Sequence, residues 1–154
     1  MIQTRKRMTL CVCLLCINLG VIWGNSLLPG HISGAISGWV RDLIATILGA
    51  NSDGSDTGHG LLRKLGHFTE FCCLGMLLCW LTGMLQRKYW PLWSLLFGIA
   101  AASIDETIQR FVPNRGPAIK DVGIDTLGVC LGIVIIYIIR KQKQKTNFLE
   151  ENKL

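Results

Sequence analysis

Four long apolar runs, almost free of charge, limit what this chain can fold into. They cover residues of about 8–28, 67–85, 90–108 and 122–139. Each is close to the roughly 20 residues with which an α-helix crosses about 30 Å of hydrocarbon. Half of the 154 residues are hydrophobic and the mean hydropathy is +0.41. The pattern predicts an all-α integral membrane protein, a bundle of four transmembrane helices that forms one domain over residues 1–154.

The basic residues indicate how such a bundle is oriented. They cluster at Arg5–Arg7, at Arg87 and Lys88, and in the tail of residues 140–154. With four spans these clusters fall on one side, which the positive-inside rule makes the cytoplasm. We therefore expect both termini to be cytoplasmic. The net charge of +6 then reflects topology and contact with membrane lipid, with no nucleic-acid partner.

The first apolar run has a second interpretation. The basic residues before it are also typical of a signal peptide, but the run is long and no A-x-A cleavage site follows it. We interpret it as a retained helix. The seven cysteines all lie inside the apolar runs, which favours packing over disulfides or metal binding.

An amphipathic segment separates the first two runs. Between His31 and Gly49 the apolar residues recur at helical spacing: Ile32, Ile36, Trp39, Val40, Leu43, Ile44, Ile47 and Leu48. This predicts an extracytoplasmic amphipathic helix between transmembrane helices one and two. It could lie in the outer membrane interface or pack over the bundle.

Polar side chains flank the apolar runs, where charge is costly unless it faces a cavity or another charge. The predicted topology places them together at the outer end. This candidate polar cluster consists of Lys64, His67, Glu70, Asp105, Glu106, Gln109, Arg115, Asp121 and Asp125.

Helical spacing supports the convergence of this cluster. Asp121 and Asp125 share a helix face with Gly128 and Gly132, a small-x-x-x-small pattern that favours close helix packing in lipid. Both carboxylates should therefore face the bundle interior.

The loop before these carboxylates contains two prolines and a glycine, which predict a stiff turn that holds Arg115 over the end of the bundle. Arg115 could grip Asp105, Glu106 or Asp121, or an anionic group on a ligand.

The same residues resemble the VanZ family of small membrane proteins. The pattern D-E-x-x-Q-x-F-x-P-x-R, followed by D-x-x-x-D/N-x-x-G-x-x-x-G, is met by Asp105, Glu106, Gln109, Phe111, Pro113, Arg115, Asp121, Asp125, Gly128 and Gly132. The element K-x-x-H-x-x-x-Y/F-x-x-x-G is met by Lys64, His67, Phe71 and Gly75, with Phe71 where many members have Tyr. The resemblance covers about residues 10–140. It implies a multi-pass protein of the bacterial cell membrane, linked to low-level resistance against teicoplanin and related glycopeptides.

Three roles of the polar cluster remain open at this point. It could bind an anionic ligand, such as a lipoglycopeptide, a cell-wall precursor phosphate or a lipid headgroup, with charge supplied by Arg63, Lys64 and Arg115. It could instead be the His/carboxylate site of a membrane enzyme acting on an envelope lipid or phosphate, or a structural ion-pair network. The sequence contains no H-E-x-x-H, G-x-S-x-G or paired metal motif. We therefore predict a binding protein with no cofactor and no metal, and assign no catalytic residue.

Overall fold

The computed structural model describes residues 2–48, 57–85, 88–115 and 119–151. Its five helices are α1 (Ile2–Leu27), α2 (Gly30–Leu48), α3 (Thr57–Met84), α4 (Trp90–Arg110) and α5 (Ile119–Glu151). Those four ranges contain no strand, which confirms the all-α prediction.

Three of the helices are long and apolar enough to cross a membrane. The segments are Gln3–Leu27 of α1, Leu61–Met84 of α3 and Ile119–Asn147 of α5, with mean hydropathies of 1.9, 1.3 and 2.4. The sequence predicted four such helices, so the match is partial. The remaining run forms α4, whose last turns carry Asp105, Glu106 and Gln109 on its buried side. These polar residues reduce the apolar character of the helix.

Helix bounds extend furthest beyond the apolar runs at the start of α3 and at the end of α5. α3 begins at Thr57, well before the predicted start near residue 67, and α5 continues to Glu151, beyond the predicted end near residue 139. The added residues of α5 are rich in Lys, Gln and Glu, which are good helix formers. The lengths of the apolar runs therefore predicted the part of each helix that could cross a membrane, but they did not predict where the whole helix begins and ends.

The predicted amphipathic helix is α2, which packs against α3. Its first residue is tied to the loop after α4, because the Gly30 N–H donates to the Pro113 carbonyl at 3.3 Å. The other side of α2 projects away from the protein, with Trp39 68% and Ile47 73% exposed. One face of α2 thus packs against the bundle. Contact of its other face with the membrane interface stays a prediction.

The close approach of α3 and α5 is the main contact of the bundle. A Cβ atom added to Gly128 would lie 2.5 Å from the Phe68 carbonyl oxygen, and one added to Gly132 would collide with the Cys72 carbonyl. On the facing helix α3, a Cβ added to Gly75 would lie 2.5 Å from the Val129 carbonyl oxygen of α5. Glycine at these positions lets the two backbones touch, as small residues do between membrane helices.

The apolar core lies where α1, α3, α4 and α5 meet. Its buried members are Cys11, Leu15, Ile22, Phe71, Leu74, Ala101, Ala102 and Val129. Large apolar side chains also cover the outside of the bundle, including Ile17, Phe97 and Leu127. Such an extensive apolar exterior is expected of a surface that contacts lipid.

Arg140 marks the end of the bundle opposite the polar cluster. Its guanidinium donates to the Cys79 carbonyl at 3.0 Å and lies 4.6 Å from the centre of the Trp90 ring. The N-terminal residues of α1 lie towards the same end, because the C-terminal residues of α1 contact Arg115 at the other.

We predict that Gly132→Ala destabilises the protein, because the added methyl group meets backbone atoms of Cys72 and Met76 that cannot move aside. Overpacking of this kind typically costs about 1–3 kcal/mol. Thermal unfolding in detergent, followed by circular dichroism, measures the loss.

Gly123→Ala on the same helix is the matched control, because its Cβ would meet nothing within 4 Å. A Gly132→Ala variant that melts at the same temperature as the control would contradict the close contact.

Candidate functional site

The predicted polar residues meet at one end of the bundle. They come from α3 (Lys64, His67 and Glu70), from α4 (Asp105, Glu106 and Gln109), from the loop after α4 (Arg115) and from α5 (Asp121 and Asp125). Their roles in binding or structure stay predictions. Their geometry divides them into a buried centre, a rim and the wall of a cavity.

Asp105 is the centre of the buried group. Its side chain is fully buried, and its Oδ2 accepts a hydrogen bond from Gln109 Nε2 at 2.7 Å. The same amide nitrogen lies 3.1 Å from Ser26 Oγ, which joins α4 to the end of α1. Asp105 Oδ1 has no hydrogen-bond partner among the residues that the structure describes.

His67 and Asp125 lie beside Asp105. His67 Nδ1 is 3.8 Å from Asp105 Oδ2, which is too long for a hydrogen bond, and finds no other partner in the described ranges. Asp125 is only 3% exposed. One donor atom from each of His67, Asp105 and Asp125 lies within 4.8 Å of the other two. Three separate helices therefore converge on one point.

Lys64 and Asp121 form the rim of the cluster. Lys64 Nζ lies 3.5 Å from Asp121 Oδ1, and the side chains are 45% and 20% exposed. Ion pairs that are this accessible to solvent contribute little, typically about 0–1 kcal/mol. This pair covers the buried group more than it stabilises the fold.

Glu70 links α3 to α1. Its Oε1 accepts a hydrogen bond from Asn25 Nδ2 at 2.6 Å, and its backbone carbonyl accepts one from Asn18 Nδ2 at 3.4 Å. Glu70 Oε2 is buried without a hydrogen-bond partner in the described part of the chain. α1 therefore supplies Asn18, Asn25 and Ser26 to the site, none of which the sequence analysis placed in the cluster.

Arg115 is buried at the end of α1 and is held by backbone atoms. Its Nε donates to the Leu28 carbonyl at 3.1 Å and its Nη2 donates to the Asn25 carbonyl at 2.6 Å. Carbonyls at the C-terminal end of a helix have no partners within the helix, so an arginine there satisfies them. Of the carboxylates that Arg115 could grip, Asp105 and Asp121 form no ion pair with it in the described ranges.

The third guanidinium nitrogen of Arg115, Nη1, has surroundings that are unusual for a cation. Nη1 is buried and has no hydrogen-bond partner among the described residues. Burial lowers the pKa of the Arg115 guanidinium, and Arg63 lowers it further, whereas Asp105 raises it. A guanidinium stays protonated despite such shifts. Arg115 is therefore a buried positive charge with one donor edge unused.

A cavity of about 470 Å³ lies between α2, α3 and Arg115. Its polar wall is formed by Asn25, Arg63, His67, Glu70 and Arg115, and its apolar wall includes Leu28, Ile36, Val40, Leu62 and Leu65. The volume is in the range of small-molecule sites, about 300–1,000 Å³. The amphipathic pattern of α2 was the sequence signal for the apolar wall, although it did not reveal a cavity.

A much smaller cavity of about 10 Å³ lies on the α5 side of His67. Its lining includes Lys64, Gln109, Asp121 and Asp125. This space is close to the smallest that holds one water molecule. Glu106 is buried but lines neither of these two cavities.

Comparison with known proteins places the chain in a family. A model of the VanZ/LLP1 family matches residues 8–140, which is most of the chain and includes every residue of the polar cluster. Neither the curated proteins nor the solved structures gave a significant match. Since the family match spans well over half of the sequence, the chain belongs to the VanZ/LLP1 family.

Proposed function

We propose that this protein binds an anionic amphiphile of the cell envelope in the cavity between α2 and α3. The observation that carries the proposal is Arg115, whose Nε and Nη2 are fixed by carbonyls while Nη1 stays buried and unused in the described part of the chain. A buried charge is costly unless it is paired and hydrogen-bonded. A phosphate or carboxylate beside Nη1 would supply both the charge and the acceptor.

The two walls of the cavity favour an amphiphile as the ligand rather than a small polar ion. Arg63 and Arg115 lie at the polar wall, where a headgroup would bind. Ile36 and Val40 of α2 face Leu62 of α3 across the apolar part, which suits an acyl or prenyl chain. The headgroup could belong to a membrane lipid, a cell-wall precursor or a lipoglycopeptide, which share this chemistry.

The proposal includes a topology with four crossings and both termini in the cytoplasm. α4 packs against α1, α3 and α5, so it lies at the same depth as the three apolar helices. Its outward side chains, among them Leu92, Leu96 and Phe97, are apolar and exposed. The polar cluster then lies on the outer face, where it meets envelope ligands, and the basic tail lies inside.

Reporter fusions test this topology in a bacterial host. We expect green fluorescent protein to be fluorescent at both termini, and alkaline phosphatase to be active when fused after Val112 in the loop between α4 and α5. If α4 does not cross the membrane, the termini lie on opposite sides. Fluorescence at only one terminus would contradict four crossings.

Arg115→Ala is expected to weaken binding of an anionic lipid. A hydrogen bond to a charged group contributes about 1.5–3 kcal/mol, which corresponds to roughly 10-fold or more in affinity. Native mass spectrometry of the purified protein with phosphatidylglycerol, and with phosphatidylcholine of the same chain length, measures the retained lipid. We expect the wild type to retain phosphatidylglycerol preferentially.

Two further variants separate binding from folding. Arg110→Ala removes an exposed arginine outside the cavity and should bind like the wild type. Arg63→Ala removes a cavity arginine that makes no hydrogen bond to another described residue, so it should weaken binding and leave the fold intact. Equal retention of both lipids by the wild type, or unchanged retention by both cavity variants, would contradict the proposal.

We further propose that occupation of this cavity contributes to low-level teicoplanin resistance. Expression in a susceptible Gram-positive host should raise the minimum inhibitory concentration of teicoplanin, a lipoglycopeptide, more than that of vancomycin. Arg63→Ala should remove the increase at equal amounts of membrane protein. No increase with well-inserted wild type would exclude resistance as an outcome and leave the lipid-binding test standing.

A further inference from the structure

His67, Asp105 and Asp125 have the donor chemistry of a metal site that the proposed amphiphile binding does not use. They come from α3, α4 and α5, and one ligand atom of each lies within 4.8 Å of the others. Bonds from Zn²⁺ to nitrogen or oxygen are about 2.0–2.2 Å in tetrahedral geometry, so two ligand atoms of one ion lie about 3.3–3.6 Å apart. Small inward movements of the three side chains would reach that geometry.

The buried atoms of these residues lack the partners that a closed protein network would provide. Asp105 is fully buried and its Oδ1 has no hydrogen-bond partner within the described ranges, and the same holds for His67 Nδ1. Asp125 is 3% exposed and makes no hydrogen bond or ion pair with any residue that the structure describes. Buried polar atoms are nearly always satisfied, so two unsatisfied ligand atoms beside the buried carboxylate of Asp125 indicate a missing partner.

Of the nearby basic side chains, Arg63 lines the small cavity beside His67 and Asp125 but forms no ion pair with His67, Asp105 or Asp125 among the described residues. Lys64 is engaged with Asp121 at the rim, and Arg115 donates to the backbone carbonyls of α1. Glu70 and Asp121 add negative charge from the flanking positions. The centre of the cluster therefore has an excess of acceptors that a divalent cation would offset.

A second layer of contacts supports the carboxylate of Asp105. Gln109 Nε2 donates to Asp105 Oδ2 at 2.7 Å and lies 3.1 Å from Ser26 Oγ. This arrangement fixes the orientation of the carboxylate and leaves Oδ1 without a competing bond in the described part of the chain. Hydrogen bonds from such outer residues orient ligands in known metal sites.

The ligand set narrows the identity of the ion. One imidazole and two carboxylates suit first-row divalent cations such as Zn²⁺ and Mn²⁺, whereas Ca²⁺ takes six to eight oxygen ligands. The cavity of about 10 Å³ beside His67 and Asp125 has room for a water molecule as a further ligand.

We propose that His67, Asp105 and Asp125 bind one Zn²⁺ or Mn²⁺ ion at the outer end of the bundle. The inference is independent of amphiphile binding, since Arg115 and Arg63 are not ligands. Because His67 also lines the larger cavity, the ion would lie close to its polar wall.

Metal titration of the purified full-length protein tests this site. After removal of metal with a chelator, we expect the wild type to bind one equivalent of Mn²⁺ or Zn²⁺ by calorimetry and to gain thermal stability on binding. Loss of an outer-shell partner alone weakens metal affinity about 10- to 100-fold. Asp125→Asn and His67→Gln remove direct ligands and should weaken it at least as much.

Three comparisons make the result decisive. Asp125→Asn keeps the shape of the side chain and removes a buried ionisable group, so without metal it should melt no lower than the wild type. Asp42→Asn changes an exposed carboxylate on α2 and should bind metal like the wild type. If both ligand variants still bind Zn²⁺ as tightly as the wild type, the ion is bound by some of the seven cysteines and not at the proposed site. Failure of the wild type to bind either ion, or equal binding by Asp125→Asn, would overturn the proposal.

Discussion

The polar end of this protein depends on the close contact between α3 and α5. Gly75, Gly128 and Gly132 bring the two backbones together, since a side chain at any of them would meet main-chain atoms of the facing helix. Asp125 lies about one turn before Gly128, and His67 lies about one turn before Phe71 at the same contact. Helix packing and the juxtaposition of His67 with Asp125 are therefore one structural feature, and a change that separates the helices would also dismantle the site.

The end of α1 completes the site mainly with backbone carbonyls and uncharged polar side chains. Arg115 caps the Asn25 and Leu28 carbonyls, Asn25 also binds Glu70, and Ser26 lies beside the Gln109 amide. These contacts hold the charged residues in place without neutralising them. The buried Nη1 of Arg115 on one side and the His67 group on the other leave one unused donor and several unused acceptors among the described residues. This imbalance is why we infer an anion and a cation at neighbouring positions, and why a purely structural ion-pair network explains the cluster less well.

Much of this arrangement could be predicted from helical spacing. The i, i+4 relations of Asp105 with Gln109 and of Asp121 with Asp125 placed these residues on shared faces, and the apolar rhythm between His31 and Gly49 predicted α2. The partners of Arg115 could not be predicted, because backbone carbonyls leave no signature in the sequence. The contribution of Ser26 could not be predicted either, because its contact with Gln109 joins residues 83 positions apart in the sequence. The long ends of α3 and α5 lie outside the apolar runs that predicted the centres of these helices.

A distance measurement in a lipid bilayer tests the central claim most directly. Solid-state NMR on protein labelled at histidine nitrogen and aspartate side-chain carbon would report the separation of His67 from Asp105 and Asp125, with a His67→Gln sample to assign the signal among the three histidines. The account predicts contacts from the His67 ring to both carboxylates, consistent with ligand atoms within 4.8 Å of one another. A His67 ring that shows contact with neither carboxylate would contradict the convergence of α3, α4 and α5 on which the proposed metal site depends.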